Sequence, residues 1–153
     1  MDVVFKTESG VFNFRVAGVM IRNGHILIHR DRKDDAWSLP GGRVGLGEES
    51  QVALRREFKE ELGVDVKIER LMFSIENFFG YNGHRFHEVG FYYQVTDDSL
   101  PLNTDEFYGL EGDRLIYRWI PIAALHEITI YPEILKTELQ NISNYPKHFV
   151  VND

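Results

Sequence analysis

Along this chain the spacing of apolar residues changes period several times, and each change marks an element. Phe12 to Met20, FNFRVAGVM, is rich in β-branched and aromatic residues. Ile26-Leu27-Ile28 resumes that character after Asn23-Gly24, the two-residue signature of a type I′ hairpin. Two antiparallel strands are therefore expected to open the domain. From Glu49 to Leu62 the period becomes helical: no Gly or Pro interrupts the run, and Leu54, Phe58 and Leu62 recur at i, i+4 and i+8. Gly63 follows, free to take the left-handed conformation of a helix C-cap. Val64 to Ile75 alternates and then turns apolar, Asn82-Gly83 repeats the hairpin signal, and Arg85 to Val95 reads as the return strand of a second long hairpin. Asp97 to Gly112 is turn-rich and acidic, a long loop, before a further strand over Leu115 to Ile122. Pro121 suits the start of a short helical turn, and Pro132 to Ile142 a terminal helix with Ile134, Leu135 and Leu139 inward. This mixture predicts one α/β domain over residues 1–153 with its sheet between helices, without internal repeat or linker.

Composition narrows the chemistry. A chain of 153 residues, 43% hydrophobic and without cysteine, builds an ordinary core and has no disulfide, thiolate metal site or cysteine nucleophile. A net charge of −7 argues against a long nucleic acid, whereas a small polyphosphate is admissible if cations neutralise the acids. No apolar run reaches membrane-spanning length, and the acidic start MDVVFKTE lacks the basic and apolar parts of a secretory signal. A cytoplasmic protein with no membrane partner is expected.

On the predicted helix, Glu57, Glu60 and Glu61 stand at i, i+3 and i+4, within an arc of about 100°. Three carboxylates there are either a solvated face relieved by Arg55, Arg56 and Lys59, or oxygen ligands for a hard divalent cation. Leu39-Pro40-Gly41-Gly42 precedes them as a rigid turn with two residues lacking Cβ, suited to close backbone approach. Elsewhere, Arg15 and Arg30 are the better phosphate contacts among Arg15, His29 and Arg30, which are otherwise expected at the surface. Trp37 is expected in the core, with stacking on a base as its alternative role. His84 and His87 do not share a face and are not read as a zinc site. Glu88 is an acid inside an aromatic strand, a costly place unless it is paired, bound to metal or turned outward.

The residues Gly42, Glu48, Arg56-Glu57-Phe58, Glu60-Glu61 and Gly63-Val64 stand at the spacing of the complete Nudix box, and the preceding Trp37-Ser38-Leu39-Pro40-Gly41 also resembles the lead-in of that family. With each fixed residue at a frequency of roughly 5–7%, a chance match is on the order of one in ten million, which decides against a mere solvated face. The resemblance implies an α/β/α sandwich with a mixed sheet. It also implies Mg²⁺- or Mn²⁺-dependent hydrolysis of a nucleoside diphosphate linked to another group, in a family that often forms homodimers. By position, Glu57 and Glu61 would be main metal ligands, Glu60 an additional ligand or base, and the Gly41 carbonyl a further ligand. Arg56 and Glu48 would orient the cluster, with Gly42 and Gly63 structural. A downstream acid often joins in this family; Glu111 is the first candidate for it, before Glu106 and Glu88, and the general base stays open. The family's isomerases need a cysteine that this chain lacks. Gly80 stands where the sugar-nucleotide subgroup has proline, and the coenzyme A signature is absent. Tyr81 resembles the tyrosine of dinucleoside polyphosphate hydrolases, and the aromatic hairpin Phe78-Phe79-Gly80-Tyr81 offers a surface for a homodimer or a lid. The alternative function is a nucleotide-sensing module of the same fold that does not cleave.

Overall fold

The computed structural model describes residues 1–103 and 105–153. In chain order come β1 (Val4–Lys6), β2 (Val11–Val19), β3 (Ile21–Arg22), β4 (His25–Asp31), β5 (Gly41–Arg43) and α1 (Ser50–Leu62). Then follow β6 (Lys67–Tyr81), β7 (His84–Thr96), β8 (Phe107–Tyr108), β9 (Leu115–Pro121), a 3-10 turn (Ile122–Glu127), α2 (Leu135–Glu138) and β10 (Lys147–Asn152). A mixed sheet runs β1-β2-β7-β6-β10, with β5 also on β2, and a smaller antiparallel sheet runs β3-β4-β9-β8. In the mixed sheet, β2 with β7 and β6 with β10 are the parallel pairs.

Both sheets contribute to two apolar layers. In one, Ala53, Leu54 and Phe58 of α1 pack against Val16, Tyr93 and Val95 of the mixed sheet and Leu27, Tyr117 and Trp119 of the antiparallel sheet. In the other, Ala17, Ile75 and Tyr92 meet Ile26, Ile28, Ile116 and Ile120, closed by Leu125, Leu135 and Leu139 from the C-terminal helical segments. Helices thus cover both sides of the sheets, the α/β/α sandwich expected from the sequence. Asn23 and Gly24 (φ 51° and 71°) and Asn82 and Gly83 (φ 52° and 77°) make their turns through the left-handed region, as type I′ hairpins require.

Four expectations change. The first Asn-Gly turn joins β4 only to two-residue β3, because β2 crosses into the other sheet and pairs with β7. Pro132 to Ile142 yields one short helix, α2, since several of its amides bond three residues back rather than four. Leu135 and Leu139 still face inward. Gly41 and Gly42 are not a turn but the start of β5, antiparallel to Arg15–Ala17. The loop from Asp97 to Gly112 contains β8, and its residue Thr104 lies outside the described residues.

Candidate active site

Gly41 and Gly42 bring two pieces of chain closer than any side chain allows. A Cβ on Gly41 would collide with the Val16 carbonyl oxygen, and one on Gly42 would lie 2.5 Å from the Glu57 carboxyl carbon. Lack of bulk, rather than unusual φ, is what these glycines supply. Below them α1 runs to Gly63, whose left-handed backbone (φ 71°) lets its N–H bond the Lys59 carbonyl.

Arg56 ties loop to helix. Its Nε and Nη2 donate to the two oxygens of Glu48 at 2.8 and 2.9 Å, and Nη1 donates to Glu57 Oε1 at 2.9 Å. Glu48 Oε1 also accepts from the Gly45 N–H at 2.9 Å. These charge-assisted bonds hold the Glu48 carboxyl down at about 2, the Arg56 hydrogen bonds being the largest cause. Glu57 and Glu61 have the opposite environment. Glu61 is 7% exposed, and burial, then the neighbouring Glu57 charge, push its carboxyl up to about 7 against the pull of a hydrogen bond from Tyr117. Burial also raises Glu57. Tyr117 Oη donates to Glu61 Oε2 at 2.8 Å, and its own ionisation is pushed up by burial and by that carboxylate.

The three helix acids do not converge as a set. Glu60 is half exposed and meets Arg56, at 3.4 Å, and among the described residues no three acidic or imidazole side chains gather closely enough to hold an ion. The close pair is Glu57 with Glu61. Glu111 lines a small cleft with Glu61, Gly109, Arg114 and Tyr117. The chain reaches it because the Leu110 N–H donates to the Glu61 carbonyl at 2.7 Å and glycine at 109 leaves room for that carbonyl. Glu106 is exposed ahead of β8, and Glu88 is buried on the face of the mixed sheet turned away from α1.

Arg15 sits between the sheets, its Nη2 donating to the Leu39 carbonyl at 2.6 Å. Arg30 donates to the Asp34 carbonyl at 2.9 Å and covers the ring of Trp37, which is buried in the core. Tyr81 is exposed at the hairpin tip, its hydroxyl donating to Asp34 Oδ2 at 3.0 Å. His29 corrects the expectation of a surface residue. It is buried against Tyr117, and burial, with Arg15 and Arg114 nearby, lowers its pKa to about 3, so the ring is neutral. Tyr117 and Gly109 escaped notice in the sequence. Alternation along LIYRWIPI places Tyr117 on one face with Trp119, but nothing local names the acid it meets.

Helices on both sides of paired sheets, with a helix that sets one acid against Gly42 and buries a second one turn on, define the Nudix class of fold and site. A family model described as NUDIX domain matches residues 13–138, and the chain belongs to that family. Among its relatives, a putative ADP-ribose pyrophosphatase of Bacillus subtilis is 36% identical over 62 residues, 40% of this chain and 30% of that one. A putative 8-oxo-dGTP diphosphatase 2 of Mycobacterium tuberculosis is 44% identical over 55 residues, 33% of this chain and 39% of that one. The matches thus span only about a third of these two relatives. An RNA pyrophosphohydrolase of Hydrogenovibrio crunogenus is 27% identical over 143 residues, covering 80% of this chain and 86% of its own. The solved structure of a MutT protein from Bacillus halodurans superposes with a TM-score of 0.63 at 14% identity, over 92% of this chain and 89% of that one, a likeness of fold.

Nudix hydrolases generally depend on divalent metal, and the donors here fit such an ion. Glu57 and Glu61 offer hard carboxylate oxygens whose charged forms burial disfavours, so a bound divalent cation would offset the desolvation that raises both. The unfolded chain ionises Glu61 near 4.5 and the folded chain near 7, so its contribution to stability is fully present below about pH 4.5 and lost as pH rises through 7. Stability of cation-free protein is expected to fall over that window by on the order of a few kcal/mol. Glu57→Gln should flatten the fall and hold or raise the melting temperature, while turnover at saturating Mg²⁺ drops by about 10²-fold or more. Thermal melts in chelator, with turnover on the same preparations, check both; a destabilised variant that retains its rate would make Glu57 a structural acid.

Proposed function

We propose that this protein is a divalent-cation-dependent pyrophosphohydrolase that cleaves a phosphoanhydride bond in a nucleoside diphosphate linked to another group, dinucleoside polyphosphates included. The observation that carries this is the pair of part-buried Glu57, against Gly42, and buried Glu61, oriented by Arg56 and Tyr117. The names of the relatives, an ADP-ribose pyrophosphatase, an 8-oxo-dGTP diphosphatase and an RNA pyrophosphohydrolase, support the same bond.

When bound, Mg²⁺ or Mn²⁺ supplies charge neutralisation on the diphosphate and acidifies water. Glu57, Glu61 and the Gly41 carbonyl would hold it, with Glu60 as an additional ligand. Arg56 and Glu48 keep Glu57 in place while the charge on the site changes. Arg15 offers a guanidinium to the phosphates from between the sheets. In the hydrolysis, the water oxygen bonds to phosphorus and the bridging P–O bond breaks, its electron pair leaving with the departing phosphate. The water proton passes to a carboxylate; the cleft that Glu111 shares with Glu61 supports Glu111 in that role, and half-exposed Glu60 is the alternative acid. Tyr81, exposed beside Phe86, suits the far nucleoside of a dinucleoside polyphosphate.

Chelation is expected to abolish turnover across a panel of nucleotide diphosphate derivatives, and added Mg²⁺ or Mn²⁺ to restore it. Full turnover in excess chelator contradicts the cation's role. Binding without cleavage of any panel member identifies a sensor instead.

A second copy of the chain is the proposed partner. Exposed Phe5 stacks on Phe12, whose ring meets His87 edge-on, and His87 lies against Phe78. Phe12, His87 and Phe78 are direct neighbours across three strands, which makes a continuous aromatic strip at the sheet surface. Light scattering at high protein concentration should give a dimer mass, and a monomer mass overturns the assignment.

A further inference from the structure

The inner face of the mixed sheet carries a polar row that the chemistry above does not use. Asn13, Glu88 and Asn77 stand opposite one another on β2, β7 and β6, so their side chains leave the sheet on one face, the face turned away from α1. All three are buried: Asn13 and Asn77 are 4% exposed and Glu88 8%. Asn13 Nδ2 donates to Glu88 Oε1 at 3.0 Å, which sets the orientation of the Asn13 amide. The Oδ1 atom of Asn13 is then a buried acceptor with no hydrogen-bond partner among the described residues, and Asn77, whose amide bonds no other side chain there, likewise leaves a buried polar atom, its Oδ1, unpaired. Native proteins seldom leave such groups unpaired, and acceptors without donors beside a carboxylate suit a ligand that brings the donors.

The surroundings follow the layout of a nucleotide. On the same face, the next row toward the hairpin tip holds Phe79 and Phe86, stacked with centroids 5.1 Å apart and planes 10° from parallel, with Tyr81 edge-on to Phe86. In the other direction along β2 comes Arg15, and then Ala17, which pairs with Gly41. Asn13 to Ala17 spans about 13 Å at the rise of a strand. One strand therefore orders an aromatic shelf, an acceptor row, a guanidinium and the glycine strand over the paired acids. Base, sugar and phosphates occur in that sequence in a nucleotide.

We propose that Asn13, Glu88 and Asn77 read the base of the substrate and that this base is guanine. The placement of the phosphates rests on the pyrophosphohydrolase reading. Guanine presents N1–H and the exocyclic N2–H₂ as adjacent donors on one edge, matching the Glu88 carboxylate and an amide carbonyl beside it, while its O6 can accept the second N–H of the Asn13 amide. Adenine sets an acceptor beside its donor, and uracil flanks one donor with two acceptors. Each would place lone pair against lone pair and leave buried acceptors unpaired, which is how a polar pocket rejects a near-isostere.

The test is equilibrium binding of GDP, IDP and ADP by calorimetry, with Ca²⁺ in place of Mg²⁺, on the wild type, Glu88→Gln and Asn77→Leu. IDP keeps N1–H and lacks the exocyclic amine. The wild type should bind GDP at least about tenfold more tightly than IDP or ADP, the discrimination of one good bidentate contact. Glu88→Gln, whose amide donates where the carboxylate accepted, should remove that preference, and Asn77→Leu, which keeps volume and deletes the acceptor, should reduce it. Melting curves establish that the variants fold; if neither does, the wild-type series alone decides. Equal wild-type affinities for the three nucleotides, or an equal loss for all three in folded variants, overturns the proposal and makes the row a structural part of the sheet. A guanine preference in binding with no turnover of any nucleotide removes the hydrolase and leaves this inference standing. Turnover without base preference does the reverse.

Discussion

Burying two carboxylates one helical turn apart is unfavourable on its own, and the architecture around α1 is what makes it tenable. Glu57 and Glu61 lose water and gain each other's charge, so both are driven toward the neutral form. Arg56 limits the cost by bonding Glu57 with one nitrogen while its other two grip Glu48. Glu48 in turn fastens Gly45, so strand, loop and helix share one charge network. Tyr117 closes the far side with a hydroxyl to Glu61, brought there by the antiparallel sheet.

The glycines belong to the same constraint. Loss of a side chain at 41 and 42 brings backbone against Val16 and against the Glu57 carboxyl, and glycine at 109 brings the Glu111 loop against the end of α1. Two of these approaches, at 42 and 109, are to α1 itself and confine its acids to a narrow space. Strand β2 runs through this arrangement, linking β5 beside the acids to the polar row at Asn13 and to the parallel pairing with β7.

Much of this was legible in the residues because it is local. Asn-Gly pairs demand positive φ wherever they stand, Gly63 ends a helix for the same reason, and the spacing of Glu57, Arg56 and Glu48 makes sense on a helix and the loop before it. What escaped depends on distant partners. Strands β1, β5 and β10 are short and acquire their state from β2 and β6, and Gly41-Gly42 reads as a turn until Arg15–Ala17 lies beside it. His29 looks like a polar strand residue, and only Tyr117 and the second layer of core bury it. Glu88, which the sequence left between metal, pairing and solvent, proved to be paired, through an asparagine far away in the chain.

The central claim is that Glu57 and Glu61 hold a cation as a pair, and the most direct test is Mn²⁺ binding with simultaneous measurement of released protons. Because the Glu61 carboxyl sits near 7 rather than in the usual carboxylate range, Mn²⁺ should displace protons when it binds at pH 6 and release fewer at pH 8. Glu57→Gln and Glu61→Gln should each weaken binding, and Glu61→Gln should suppress the proton release. Mn²⁺ affinity unchanged in both variants, or binding at pH 6 with no proton released, would contradict the account.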